Sequence, residues 1–306
     1  MAREKQERLK SLLRSYGSCL VAYSGGVDSA FLAWVASGAL PDSMLAVIAD
    51  SPSLPRSELE DAQSLARRWR IPLRVIRTDE FSNVNYVSNP VNRCFFCKQE
   101  LFTQMVSLAK REGFSALAYG ENASDASDFR PGGQAAKEAF VHAPLREVGL
   151  TKEDIRALSA AAGLPTADKP AMPCLSSRIP HGEPVTVEKL YMVERAEARL
   201  RARGLSDVRV RHHQLSQGSL ARIELGDDEI QELMDPAIAQ AVAAELRVIG
   251  YDQVTLDLRG YRSSGRQAGR PVPAIAVGPS PGDGQPMTRG GDSRKSLAGM
   301  DSHRDD

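Results

Sequence analysis

Apolar positions along the chain follow two rhythms that trade places. Leu9, Leu12, Leu13 and Tyr16 recur at helical spacing and predict an amphipathic helix over residues 3–16. The unbroken apolar run Cys19-Leu20-Val21-Ala22 predicts a buried strand, residues 30–35 a helix, and the run 44–49, closed by Asp50-Ser51-Pro52, a second strand. Leu59, Ala62, Leu65, Ala66 and Trp69 share one face of a helix over residues 56–69, and residues 73–77 read as a third strand. A helix opens at residues 92–98 and continues through Leu101, Phe102, Met105, Val106 and Leu108, and residues 116–119 form a further strand. Strands alternating with helices predict the α/β class, with a parallel sheet covered on both faces.

After Thr151-Lys152-Glu153-Asp154, which resembles a capping box for a helix ending near Gly163, the rhythm changes. Pro170 and Pro173 exclude a helix and stiffen a loop. A helix over residues 186–203, strands over 208–211, 220–225 and 254–258, and a helix over 236–249 predict a smaller α+β unit. From Arg262 onward Gly, Pro, Ser, Arg and Asp dominate, and too few large apolar residues remain to offset the entropy of ordering. The expected division is residues 1–168, residues 169–262, and a disordered tail over 263–306.

Charge narrows the choice of partner. Lys and Arg together number 39 and so do Asp and Glu, so no global field attracts a polyanion, and nucleic acid is not expected. The charged opening residues and the lack of a long apolar run predict a cytoplasmic protein without a membrane segment. The four cysteines form no disulfide scaffold, so a close pair in a reducing compartment points to metal or redox chemistry.

Three stretches carry candidate chemistry. In Tyr23-Ser24-Gly25-Gly26-Val27-Asp28-Ser29, the two glycines permit positive φ and close ligand approach, so backbone N–H groups and the helix N-terminus can converge on phosphate. Ser24 and Ser29 supply hydroxyl donors and Asp28 a magnesium ligand. Asp50 and Ser51, ending the second strand, and Gly120 and Asn122, at the end of the fourth, should border the nucleotide. Asp125 and Asp128 could orient ATP or magnesium, and Arg130 could meet a phosphate. Cys94 and Cys97 lie one helical turn apart, fit for a shared metal or a redox pair, with Cys174 the remaining candidate ligand. Arg178 beside that thiol would favour the thiolate. Arg209 and Arg211 share one strand face, suited to a phosphate or carboxylate.

The Ser-Gly-Gly-Val-Asp-Ser turn resembles the pyrophosphate loop of the PP-loop ATP pyrophosphatases, an adenine nucleotide alpha hydrolase-like fold. Together with Asn92-Arg93-Cys94-Phe95-Phe96-Cys97-Lys98, Gly120-Glu121-Asn122, Phe129-Arg130-Pro131-Gly132, residues 169–179 and Leu256-Asp257-Leu258-Arg259-Gly260-Tyr261-Arg262, it resembles the LarE family, ATP-dependent sulfur transferases of nickel-pincer nucleotide synthesis. The resemblance implies adenylation of a carboxylate of pyridinium-3,5-biscarboxylate mononucleotide, pyrophosphate release and conversion to a thiocarboxylate, with ATP and Mg2+. It offers two sulfur sources: Cys174 itself, leaving dehydroalanine, or a [4Fe-4S] cluster on Cys94, Cys97 and Cys174, which the number of cysteines favours. It also implies Ser177, Arg178, Arg209, Arg211, Glu197 and Glu224 around substrate or metal. The stretch 212–218 departs from the family in lengthening the connection between two strands, which makes the Glu224 match less secure. The expected partners are a small nucleotide substrate and further copies of the chain. A PP-loop tRNA thiolase, an amide ligase resembling NAD or GMP synthetases, and a noncatalytic ATP-binding module are the rival readings.

Overall fold

A computed structural model describes residues 1–127, 131–226 and 229–261. The predicted tail, Asp128 and Arg130 lie outside the described residues. The chain runs Ala2–Ser15 (α1), Cys19–Ala22 (β1), Val27–Ala39 (α2), Met44–Asp50 (β2), Arg56–Arg68 (α3), Leu73–Arg77 (β3), Val84–Val87 (α4), Arg93–Glu112 (α5) and Ala116–Tyr119 (β4). The short 3-10 turns Glu80–Ser82 and Ala123–Ser127 flank this region's loops.

All four strands are parallel, in the order β3-β2-β1-β4. The period of two in each strand sorts side chains between the covering layers. Cys19 and Val21 pack with α1, α2 and α3, whereas Leu20, Ala22 and Val47 meet Phe102, Met105 and Leu108 of α5. Both faces are dry, which is why β1 reads as a continuous apolar run. Cys19 is buried there, and burial pushes its thiol up to about 12, as suits an inert core cysteine.

Pro131–Glu138 (α6), Pro144–Glu147 (α7) and Lys152–Ala161 (α8) follow. Thr151 and Asp154 form the reciprocal capping box at the start of α8. Val187–Ala202 (α9), Arg209–Gln214 (β5), Ser219–Glu224 (β6), Ile230–Leu233 (α10), Pro236–Ile249 (α11) and Gln253–Leu256 (β7) complete the described chain. β5 and β6 are antiparallel, β6 and β7 parallel, and this second sheet packs α9 and α11 around a cluster of its own. Residues 1–262 nonetheless form one compact unit. Among the described residues no helix is long and apolar enough to cross a membrane.

The expected lengthened connection is mostly strand. His212, His213 and Gln214 pair with Ala221, Leu220 and Ser219, which leaves only residues 215–218 as the turn, closed by Leu215 N–H donating to Gly218 O at 3.0 Å. Their polarity disguises a strand because one edge of it faces solvent.

Candidate active site

The glycine turn leaves the carboxyl end of β1 and enters α2. Gly25 alone of the two glycines uses positive φ, at 72°, and a Cβ there would stand 2.7 Å from Ala62 Cβ. Gly26 is extended and serves as the N-cap without a side-chain hydrogen bond, so the first N–H groups of α2 have no cap to satisfy them. Those donors and the helix dipole suit an anion. Gly120 is needed for close approach: its Cβ would lie 2.9 Å from Ser29 N.

Ser24 and Ser29 face one another across the turn, their hydroxyls 3.0 Å apart, with Ser24 N–H donating to Ser29 Oγ at 3.1 Å. Asp28 meets Lys152 through Oδ2 at 2.7 Å, while its Oδ1 is buried and without a partner. Asn122 is 1% exposed, and its Nδ2 donors are likewise unpartnered. A buried carboxylate oxygen without a partner is a ready cation ligand, so Asp28 fits the magnesium role.

The end of β2 joins this loop to the sulfur chemistry. Asp50 pairs with Arg56 at 2.5 Å, and the Ser51 hydroxyl donates to Glu80, whose second oxygen is buried and unpartnered. Ser53 Oγ and Tyr86 OH both bond Ser176 Oγ, at 2.8 Å each, and Leu175 N–H donates to Ser53 O at 2.8 Å. These bonds bring Cys174, at the head of the short 3-10 turn Leu175–Arg178, to the carboxyl end of the parallel sheet.

Cys94 and Cys97 occupy the first turns of α5. Burial pushes Cys97 up to about 12, reinforced by Glu80 and Cys174. Burial and Cys174 raise Cys94, against Arg93 and Lys98. The three thiols therefore lie within electrostatic reach of one another. Among the described residues, however, no three His, Cys, Asp or Glu side chains converge as a metal-holding set. Cys94, Cys97 and Cys174 are the residues that would hold a [4Fe-4S] cluster, each ligating a different iron.

Two residues that carried no role in the sequence emerge here. Burial lowers the Lys98 ammonium, opposed by Cys97, Cys94 and Glu121, and its Nζ lies 5.6 Å from the Phe102 ring centroid and 5.7 Å from that of Tyr119. Arg93, 4% exposed, donates to Asn89 Oδ1 and to Ser176 O, the latter at 2.9 Å, and its NH2 stands 4.0 Å from Cys174 Sγ. Both adjoin the cysteines in sequence, and that adjacency was the available signal.

Arg178 does not do what its position suggested. Its side chain is fully buried, paired with Glu197 at 2.8 Å and donating to the Pro173 and Cys174 carbonyls at 2.5 and 3.0 Å and to Ser177 Oγ at 3.1 Å. It clasps the loop backbone rather than the sulfur. Glu197 also accepts from Arg201 at 2.8 Å and Val210 N–H at 3.2 Å; burial opposes its ionisation, but Arg178 and these donors hold it below the usual carboxylate range. Glu224 is bridged by Arg211 at 2.8 Å and Arg222 at 3.1 Å. With arginines on both oxygens, neither glutamate presents an open carboxylate to a metal.

Arg209 and Arg211 do share a face, turned to the cysteine loop. Arg211 donates to Ser177 O at 2.8 Å; Arg209 reaches Met172 Sδ at 3.4 Å, lies 4.7 Å over the Tyr261 ring, and keeps a buried, unpartnered Nε. Burial, then Arg178, lower its affinity for its proton, as expected of a guanidinium lacking a counter-charge. The Arg209 guanidinium thus keeps a donor that an anion could take.

A parallel sheet whose first strand runs through a glycine turn into a helix, with buried unpartnered polar atoms at Asp28 on that helix and at Asn122 beyond the fourth strand, defines a PP-loop α/β protein. No family model matches the chain. It is 32% identical, over 85% of its length and 92% of the relative's, to the pyridinium-3,5-bisthiocarboxylic acid mononucleotide synthase of Lactiplantibacillus plantarum, and it belongs to that LarE family. It is 44% identical over 86% of its length, and 97% of the relative's, to the uncharacterized protein slr1717 of Synechocystis. A stretch of 91 residues is 34% identical to the GMP synthase of Helicobacter pylori, covering 29% of this chain and 18% of that one.

Proposed function

We propose that the chain is an ATP-dependent sulfur transferase acting on a pyridinium carboxylate mononucleotide, in the synthesis of the bisthiocarboxylate that names its Lactiplantibacillus relative. The observation that carries this reading is the tethering of the Cys174 loop, through Leu175 to Ser53 and through Ser176 to Arg93, at the same sheet end as the Gly25 turn. A carboxylate oxygen is a poor leaving group, and transfer of AMP to it makes a good one. Ser24, Gly25, Gly26, Ser29 and the N–H groups of α2 hold the departing pyrophosphate, Asp28 holds its magnesium, and Asp50, Ser51, Gly120 and Asn122 border the nucleoside. Arg209 receives the substrate's anionic groups, with Arg211, paired to Glu224, and Ser177 alongside.

Cys174 then delivers the sulfur. Its S–H proton passes to water, the sulfur electron pair forms the bond to the acyl carbon, and AMP leaves with the pair of the broken acyl–oxygen bond. The Cα proton of Cys174 then passes to water, the C–H pair forms the Cα=Cβ bond, and the Cβ–S bond breaks with its pair on sulfur, leaving the thiocarboxylate and dehydroalanine. Lys98 and Arg93 supply positive charge near the thiols.

The test is pyrophosphate release from ATP that depends on pyridinium-3,5-biscarboxylate mononucleotide, followed by intact mass after one turnover. Loss of the elements of hydrogen sulfide from the Cys174 peptide is the expected result. Unchanged polypeptide mass with stoichiometric iron and sulfide after anaerobic purification would replace this route by the cluster route. Full sulfur transfer by Cys174→Ala would remove the proposal, whereas Cys174→Ala that fully retains an activity without sulfur transfer would favour the amide-ligase reading.

A further inference from the structure

We propose that Arg93 is the positioning residue for Cys174, holding its loop in place and supplying the positive charge beside its sulfur; this rests on Cys174 being the sulfur nucleophile. Three observations converge. Arg93 is 4% exposed, yet among the described residues no carboxylate lies within ion-pairing distance of it, so a full positive charge is held out of water with only neutral acceptors. An arrangement of that kind is costly unless an anion arrives. The neutral contacts fix the guanidinium: Asn89 Oδ1 and Ser176 O occupy NH1, and Asn89 is itself pinned by donating to the Ile179, Pro180 and Glu183 carbonyls at 3.3, 2.7 and 3.0 Å. NH2 in turn reaches Cys174 Sγ at 4.0 Å.

Arg178, adjacent in sequence, is excluded from this role by its own contacts. Glu197 neutralises it, and its remaining donors hold the Pro173 and Cys174 carbonyls and the Ser177 hydroxyl. Two arginines thus hold the loop with separate tasks, Arg178 within it closing the backbone and Arg93 of α5 facing the Cys174 side chain. As negative charge gathers on sulfur during attack, a preorganised guanidinium stabilises it without having to move.

The experiment measures charge at one sulfur. At a single pH and ionic strength, the Cys174 peptide is followed by mass as the reduced protein reacts with anionic iodoacetate or with neutral iodoacetamide. A neighbouring cation raises the rate with the anionic reagent relative to the neutral one. That ratio should fall roughly three- to tenfold in Arg93→Gln and be largely restored in Arg93→Lys. Sulfur transfer should fall at least about tenfold in Arg93→Gln, with the KM for ATP within about twofold of wild type. A ratio unchanged in Arg93→Gln overturns the proposal, since a purely structural arginine would alter both reagents alike. Should neither variant fold, the wild-type ratio is compared with that of a free peptide spanning residues 172–177; a ratio no higher in the protein overturns it equally. Failure of the wider functional reading looks different, because Cys174→Ala would then keep its sulfur-transfer activity whatever the alkylation ratio.

Discussion

At Gly25 two independent constraints fall on one residue. Its φ of 72° disfavours any side chain, and the space a Cβ would take is already filled by Ala62 of α3. Gly25→Ala therefore pays both a left-handed backbone penalty and an overpacking one, about 2–4 kcal/mol together. The expected outcome is a lower melting temperature with a disproportionate loss of ATP binding, since relief by moving the turn away from α3 also displaces the N–H groups meant for phosphate. Gly26→Ala is the control. Its φ of −79° is ordinary and the nearest atom to an added Cβ is Ser24 Oγ at 3.5 Å, so melting should change by no more than a few degrees. Equal destabilisation by the two substitutions, measured by thermal unfolding with and without ATP, would contradict this account of the turn.

Between elements, the joint that matters is the one tying α9 and β5 to the cysteine loop. Glu197 of α9 is 1% exposed and takes donors from Arg178, Arg201 and the β5 backbone at Val210. Glu197→Ala would leave the Arg178 guanidinium buried without its counter-charge, at a cost of about 3–5 kcal/mol in denaturant unfolding. Exchanging both partners, Arg178→Met with Glu197→Leu, should recover much of that loss while sulfur transfer stays impaired, because the Pro173 and Cys174 carbonyls lose their clasp. Full recovery of both would mean the ion pair serves stability alone. This joint also marks how far the sequence could be read. The strands of the first sheet, the glycine turn, the capping box of α8 and the helices flanking the second sheet follow from local patterns, and local patterns are complete within a few residues. The Ser53–Tyr86–Ser176 hydroxyl network and the Arg93–Cys174 approach join residues far apart in the chain, each unremarkable where it stands. Sequence adjacency therefore gave Arg178 the thiol that the fold gives to Arg93, and polar His212 and His213 concealed two residues of strand.

For the molecule as a whole, stability against acid is set in part by His212. Its side chain sits in the core of the second sheet, 2% exposed, with its ring 5.5 Å from that of Tyr251 and neither ring nitrogen hydrogen-bonded. Burial first, then the charges of Lys189 on α9 and of His213 beside it, lower its pKa from 6.5 to about 4. The sign follows from proton counting: between pH 6.5 and 4 the unfolded chain binds a proton that the folded chain refuses, so stability declines as pH falls through that window and is unaffected by this residue above it. From pH 7 to pH 5 the loss attributable to His212 is about 1–2 kcal/mol. His212→Phe keeps a ring against Tyr251 and sacrifices no hydrogen bond, so its unfolding free energy should fall less over that interval than the wild type's, by about the same amount. The arginine pair on β5 makes this a functional matter too, because loosening the second sheet releases Arg209 and Arg211 from the loop that carries Cys174. Parallel stability–pH curves for wild type and His212→Phe would show that the proton enters elsewhere, and the acid sensitivity of the sheet would then have to be sought among its carboxylates.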